Sequence, residues 1–284
     1  MIIAQALKDA SELLENSGIP EYRREATSLL SHALDKGFTF QFAHPEYELT
    51  PVEAEKFTSF VSRRAAREPF QYIVGHQEFY GLEFAVRPGV LIPRPETEIL
   101  VSEAIELSRS CAEPKLLEIG VGSGCISISI LHHVAAARID AVDISDTALE
   151  VAAENAAKHD VSDRLSLFRS DVFSSVNGKF DLIVSNPPYI PSSDLGGIQP
   201  EVGLFEPHTA LFSGKDGLSV IRRLVNEAPG HLKPGGYLLI EFGFGQSESV
   251  KELFDPFIWS DVEIIPDQRS IPRVIKGRLA PRNY

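Results

Sequence analysis

Between Ile2 and Tyr72 apolar residues recur at three- and four-residue intervals, the period of helices that turn one face to a core. Ala6, Leu7, Ala10, Leu13 and Leu14 mark the first stripe, and Gly18 and Pro20 bring it to an end. Glu21 to Leu34 carries a second stripe. Thr50-Pro51-Val52-Glu53 reads as an N-cap with proline at the first helical position, opening a third helix that runs to Ala66. Residues 1–75 are therefore expected to form a small helical bundle.

The period changes between His76 and Ile92, where Phe79, Leu82, Phe84, Val86 and Val90 surround Gly81 and Gly89. This predicts a β-hairpin linker over residues 76–92. Beyond it, strand-like runs (Lys115 to Ile119, Arg138 to Val142, Leu165 to Arg169, Phe180 to Val184) are interleaved with helical ones (Gly124 to His132, Ala148 to Lys158). A helix from Leu218 to Ala228, a strand from Gly236 to Glu241 and a hairpin of Val262 to Ile265 with Arg273 to Gly277 complete the series. The rhythm predicts an α/β fold with an open, mainly parallel sheet over residues 93–284.

Composition narrows the class. The 284 residues are 43% hydrophobic and 24% charged, which suits a folded protein and excludes bulk disorder. Lysine and arginine number 27 against 40 aspartates and glutamates, a net charge of −13, and both the helical part and the remainder are net acidic. Loose binding to phosphate backbones is disfavoured, and stable nucleic acid binding is not expected. The two cysteines, Cys111 and Cys125, have no metal-ligand spacing. No secretory signal pattern and no bilayer-spanning apolar run is read, so a cytoplasmic location is expected.

The chemistry concentrates at predicted strand ends. Leu116-Leu117-Glu118-Ile119-Gly120-Val121-Gly122-Ser123-Gly124 leads from a strand into a helix, where backbone can approach a cofactor closely. Its G-x-G-x-G spacing departs from the G-x-G-x-x-G of dinucleotide sites. Glu118, moreover, suits the amino or hydroxyl side of a nucleoside ligand better than a diphosphate. Asp143 closes the next strand, placed to accept from ribose hydroxyls, and Asp171 follows the third, where it can accept from an adenine amino group while Val172 packs against the ring. Alone, each aspartate is more often a cap or a turn residue. Together the three acidic groups and the glycine turn meet in one crevice and point to an adenosyl ligand without phosphates.

The strand from Phe180 stops at Asn186-Pro187-Pro188-Tyr189. Two prolines stiffen the turn, so the Asn186 amide oxygen and the Pro187 carbonyl become fixed acceptors beside the Tyr189 ring, a set that suits a planar NH2 group.

These segments resemble class I S-adenosylmethionine-dependent methyltransferases of the amino-group type. With Ile92-Pro93-Arg94-Pro95-Glu96-Thr97-Glu98, Pro200-Glu201-Val202 with Glu206-Pro207, and Glu241-Phe242-Gly243 with Gln246, the chain resembles the peptide chain release factor glutamine N5-methyltransferase (HemK/PrmC) family over nearly its whole length. The resemblance implies a Rossmann-like class I methyltransferase domain with a mainly parallel seven-stranded sheet, behind a helical domain that docks the substrate protein. It implies methyl transfer from S-adenosylmethionine, leaving S-adenosylhomocysteine, to the glutamine amide of the Gly-Gly-Gln motif in class I release factors, with no metal. By the same resemblance Glu118, Gly120, Val121, Gly122, Ser123 and Gly124 hold the methionine part of the donor, Asp143 the ribose, and Asp171 with Val172 the adenine, with Thr97 also on the donor side. Asn186, Pro187 and Tyr189 are the implied catalytic groups, and Pro188, Arg94 and Glu98 complete the substrate wall. A monomer acting in the cytoplasm is expected.

Two positions depart from the expected family pattern: Glu118 stands where aspartate is common, and Asp267-Gln268-Arg269-Ser270-Ile271-Pro272-Arg273 lacks the usual glycine. Three other functions compete with this one. An N-methyltransferase acting on an exocyclic amino group of adenine or cytosine in DNA or RNA would use the same Asn-Pro-Pro-Tyr turn. The acidic balance argues against it, and the densest basic group near the amino domain, Arg63, Arg64 and Arg67, is a small patch on a helix. A dehydrogenase is disfavoured by the glycine spacing, and a noncatalytic adaptor by the apparent completeness of the site.

Overall fold

The structure, a computed structural model, describes residues 1–281, leaving aside the side chain of Leu195. Residues 282–284 of the expected second domain lie outside the described residues. The chain divides into two compact units, Met1–His76 with Gln199–Phe205, and Gln77–Ile198 with the residues from Glu206 onward.

Five helices come first: α1 (Ile3–Asn16), α2 (Tyr22–Leu34), α3 (Phe38–Ala43), α4 (Pro51–Ala65) and α5 (Phe70–Val74). Ile3, Ala6, Ala10 and Leu14 of α1 pack with Ala26, Leu29 and Leu30 of α2 and with Phe57 and Val61 of α4 around one core. The sequence-predicted start of α4 carries a full capping box. Glu53 N–H donates to Thr50 Oγ1 at 3.3 Å, and Thr50 N–H returns to Glu53 Oε2 at 2.8 Å. These bonds satisfy two donors that the first turn leaves open. Helices α3 and α5 were assigned to no element from sequence, because six and five residues are too short to display a period.

The second unit continues from a hairpin, β1 (His76–Phe79) and β2 (Leu82–Ala85), through α6 (Glu98–Arg109) and β3 (Lys115–Ile119) to α7 (Cys125–His133). Then come β4 (Arg138–Asp143), α8 (Asp146–Lys158), β5 (Leu165–Arg169) and β6 (Phe180–Ser185). After α9 (Pro200–Phe205), which groups with the helical unit, follow α10 (Ser219–Glu227), β7 (Leu232–Glu241), α11 (Ser247–Lys251), β8 (Trp259–Pro266) and β9 (Pro272–Leu279). Helix α6 also escaped the sequence reading, although Leu100, Val101, Ala104 and Ile105 give it a buried stripe.

Seven strands form one sheet in the order β5-β4-β3-β6-β7-β9-β8. The first five in that order run parallel, and β9 and β8 close the edge antiparallel. Apolar layers cover both faces, one built on Leu116, Ile139 and Leu182 and the other on Leu117, Ile183 and Leu238. The central strands accordingly read as apolar runs. Because the chain winds outward from β3 to β5 and then returns to β6, the sheet switches direction between β3 and β6. A crevice opens there at the strand carboxyl ends.

In the closing hairpin Ser270 occupies the left-handed region at φ 62°. It takes the conformation for which a glycine was missed. The Asp267 carboxylate holds this turn by accepting from the amides of Arg269 and Ile271 at 2.8 and 2.9 Å and from Arg273 Nε at 3.3 Å.

Candidate active site

Ile119 pairs with Ser185 across β3 and β6, so Gly120 and Asn186 leave adjacent strands side by side. They border a cavity of about 350 Å³ that is also lined by Glu118, Val121, Gly122, Ser123, Asp143, Asp171 and Val172. Arg94, Thr97 and Pro188 line it too. The structure thus brings most of the sequence-predicted set into one crevice of the second unit. Gly124, Pro187, Tyr189 and Glu98 do not line the cavity.

One wall of the cavity begins with the glycine turn. Gly120, Gly122 and Gly124 all have positive φ, at 81°, 53° and 82°. A Cβ on Gly124 would also lie 2.9 Å from Ile128 Cδ1 and 3.2 Å from the Ala152 Cβ. Gly124 is therefore required for close packing between α7 and α8, not for the cavity lining.

Glu118 is fully buried, and its Oε2 accepts from the amide of Ser127 at 3.0 Å and from the Ser127 hydroxyl. Burial raises its carboxyl to about 8 despite those donors. The other oxygen, Oε1, is buried with no hydrogen-bond partner. A buried acceptor left in that state is costly and calls for a ligand donor.

Asp143 also has a raised pKa, with burial the main cause, opposed by backbone donors. Gly122 N–H donates to Oδ2 at 3.0 Å and Ser145 N–H to Oδ1 at 2.9 Å. The Ile144 amide adds a third backbone donor, which leaves the carboxylate part of its acceptor capacity. Asp171 is exposed and paired with Arg223 at 2.7 Å through Oδ1. Val172 is buried at φ 51°, a strained conformation for a β-branched residue, and Ser170 Oγ donates to its carbonyl at 2.9 Å. Such strain clusters at ligand sites.

The facing wall is the Asn186 turn. Asn186 Nδ2 donates to Thr97 Oγ1 at 3.0 Å, and Thr97 is itself buried. With Nδ2 engaged, the amide oxygen is the atom left to meet a ligand. Pro187 is buried behind the lining. Tyr189 is largely enclosed, and burial beside the Glu241 charge pushes its hydroxyl well above the ordinary phenol range. Its carbonyl accepts from Gln246 Nε2 at 2.9 Å. A Cβ on Gly217, which has φ 78°, would lie 2.1 Å from that carbonyl oxygen. Only glycine lets the chain pass there.

The Arg94 segment is tied to a later loop that forms part of the same cavity. Arg94 pairs with the buried Glu206 at 2.5 Å, and Ile92 N–H donates to Glu206 at 3.2 Å. The pairing accompanies Pro207, Thr209, Ala210 and Phe212 as lining residues. The sequence marks both segments, Ile92 to Glu98 and Glu206-Pro207, without joining them. Glu98 instead accepts from Tyr80 N–H at 2.9 Å, on the β1–β2 turn. Glu241, at the end of β7, received no role from sequence and turns out to be 2% exposed behind Asn186.

The patch Arg63, Arg64 and Arg67 in the helical unit is neutralised. Arg63 pairs with Glu68 at 2.5 Å, buried Arg64 with Glu25 at 2.5 Å and Glu201 at 3.0 Å, and Arg67 with Glu201 at 2.8 Å. Guanidinium groups so engaged are poor phosphate ligands. Among the described residues no cluster of three or more His, Cys, Asp or Glu could hold a metal, and no helix is long and apolar enough to cross a membrane.

Comparison with known proteins places these features in context. Residues 5–75 match the PrmC N-terminal domain family and residues 95–195 the methyltransferase small domain family. A release factor glutamine methyltransferase from Koribacter versatilis is 40% identical over 98% of the chain and 99% of its own length. A protein of the same name from Geobacter sulfurreducens is 42% identical, covering 94% and 93%. Among solved structures, a methyltransferase from Pyrococcus furiosus shares the fold with a TM-score of 0.53 and 21% identity, over 77% of this chain and 99% of that one.

Proposed function

The chain belongs to the release factor glutamine methyltransferase family, and we propose that it methylates the side-chain amide nitrogen of the glutamine in the Gly-Gly-Gln motif of class I peptide chain release factors. S-adenosylmethionine is the methyl donor in this reading, and it supplies an electrophilic methyl on a sulfonium that leaves as a neutral thioether. The residues fit that donor. The orphaned Glu118 Oε1 suits a ligand ammonium, the open side of Gly122 leaves room for a chain, and the spare acceptor capacity of Asp143 suits ribose hydroxyls. Asp171 Oδ2 and Val172 take the adenine.

An amide nitrogen is a weak nucleophile because its lone pair is delocalised into the carbonyl, so placement has to compensate. The Asn186 Oδ1 and the Pro187 carbonyl each accept one hydrogen of the glutamine NH2, aim the nitrogen and stabilise the positive charge it develops. The methylated nitrogen, strongly acidic while cationic, gives its extra proton to solvent water as the product leaves, so no strong base is required. Tyr189, held by Gln246 and Gly217, walls the acceptor turn and excludes water. The observation that carries this reading is the fixed Asn186 amide, its Nδ2 bound to buried Thr97 and its oxygen left for a ligand.

The helical unit supplies a docking surface for the release factor, since a pocket for one glutamine cannot select one protein among many. Net charge favours a basic partner surface over nucleic acid. The enzyme acts as a monomer in translation termination, in the cytoplasm. To test the proposal, labelled S-adenosylmethionine is incubated with the enzyme and purified release factor or, separately, transfer RNA and DNA. Label on the amide nitrogen of that glutamine, lost in a Gln→Ala substrate, is expected. Label on a base amino group instead would overturn it.

A further inference from the structure

Glu241 is a buried carboxylate that the proposed chemistry leaves without a task. It ends β7, one residue past the Ser185–Ile240 pairing, and so lies beside Asn186 at the carboxyl ends of two central strands. It is 2% exposed, and the cavity lining does not include it. Thr97 and Asn186 are the neutral side chains beside its carboxyl that oppose the effect of burial on its acidity, while Oε2 is enclosed with no hydrogen-bond partner among the described residues.

The donors and acceptors around it admit one consistent arrangement. Asn186 Nδ2 gives a hydrogen to Thr97 Oγ1 at 3.0 Å, so the Thr97 hydroxyl must send its own proton elsewhere. An ionised Glu241 is acceptor-only and takes that proton, and it also attracts the second Nδ2 hydrogen. Both hydrogens of the amide are then held on the inner side, which fixes its orientation. If the acid is neutral, it can donate to Thr97, and the preference for this orientation is lost.

We propose that Glu241 is a positioning residue: through Thr97 it sets the orientation of the Asn186 amide, so that Oδ1 and not Nδ2 meets the methyl acceptor. The proposal rests on the reading of Asn186 as an amide acceptor and assigns its control. Burial raises the Glu241 carboxyl to about 7, which places the change within the working range of the enzyme. The charged and titratable groups facing it are Arg273 at the start of β9, Glu96 ahead of α6, Cys125 at the start of α7 and Tyr189 after β6. Arg94 faces the Tyr189 hydroxyl in turn.

The test is steady-state kinetics on the full chain with release factor, from pH 6 to 9, with donor affinity measured by calorimetry. Wild-type kcat is expected to rise with pH through about 7. Glu241→Gln, which can donate to Thr97, is expected to lower kcat roughly 10- to 100-fold and flatten that rise, with donor affinity within about 3-fold. Thr97→Val is expected to lower kcat and flatten the rise in the same way, and the double variant to fall no further than the worse single one. A Glu241→Gln kcat within about 2-fold of wild type, a retained pH rise, or full additivity would overturn the proposal. If Glu241→Gln does not fold, the pH profile of Thr97→Val decides by the same criterion. Asn186→Ala separates the two levels. If its kcat is unchanged, the acceptor reading itself fails; if it falls while Glu241→Gln does not, only the positioning role fails.

Discussion

The two walls of the cavity each hold a buried carboxylate at a strand end, and the two are wired differently. On the β3 side, Glu118 is gripped by Ser127 through one oxygen and offers the other to the cavity. On the β7 side, Glu241 is outside the lining and faces Thr97 and Asn186. Burial raises both acids, to about 8 and about 7. The contrast teaches that an acid can serve a ligand directly or serve the side chain that does. In the proposed reading the wall at Glu118, the donor wall, works by complementing charge, and the wall at Asn186, the acceptor wall, by fixing the direction of an amide.

Removing the amide gives the largest separation of the walls. Asn186→Ala is expected to cost about 2–4 kcal/mol of transition-state stabilisation, roughly 30- to 1000-fold in single-turnover rate, with donor affinity nearly intact. A loss of donor affinity matching the rate loss would erase the distinction. Gly217→Ala attacks the acceptor wall from behind. Its Cβ cannot coexist with the Tyr189 carbonyl as placed, and the strained φ adds to the clash. We expect about 1–3 kcal/mol lost in urea unfolding, with activity falling further than stability explains.

On the opposite wall, Asp143→Ala should weaken donor binding by about 1–2 kcal/mol in calorimetry while sparing kcat at saturating donor. Unchanged affinity would remove Asp143 from the donor wall. Changing pH is the gentlest probe. Both raised carboxyls bind protons in the folded state at pH values where the unfolded chain, near 4.5, has released them. Their contribution is therefore complete below about 4.5 and is lost as pH rises through about 7 and about 8. The ligand-free unfolding free energy from urea denaturation should fall between about pH 5 and 8 and level off above, by about 1 kcal/mol or less per pH unit because water in the cavity relaxes the burial cost. Glu118→Gln should reduce the fall, and donor binding near pH 7 should release protons as its ammonium favours ionised Glu118.

Much of this arrangement was legible before the structure. The parallel strands announced themselves as short apolar runs, since both sheet faces are covered, and their acidic ends marked the crevice. Asp143 and Asn186 could be placed because each terminates such a run. What escaped depends on contacts between distant segments. Helix α6 has a clear apolar stripe but was overshadowed by the motif before it. Nothing local in Pro200–Phe205 shows that it groups with the helical unit, where Glu201 meets Arg64 and Arg67. Glu241 reads as the polar end of a strand. Its role emerges only once β7 is laid beside β6 and Thr97 is brought in from an earlier loop. Glu98 illustrates the converse: its place in a telling motif implied a substrate contact, whereas its carboxylate meets the Tyr80 amide.

The most direct test of the acceptor wall is a neutron structure of the enzyme with S-adenosylhomocysteine and a glutamine-bearing peptide. The account predicts Asn186 Oδ1 and the Pro187 carbonyl each about 2.7–3.2 Å from the peptide amide nitrogen, with both Asn186 Nδ2 deuterons directed at Thr97 and Glu241. Nδ2 facing the peptide, or both acceptors turned from the NH2 group, would contradict it.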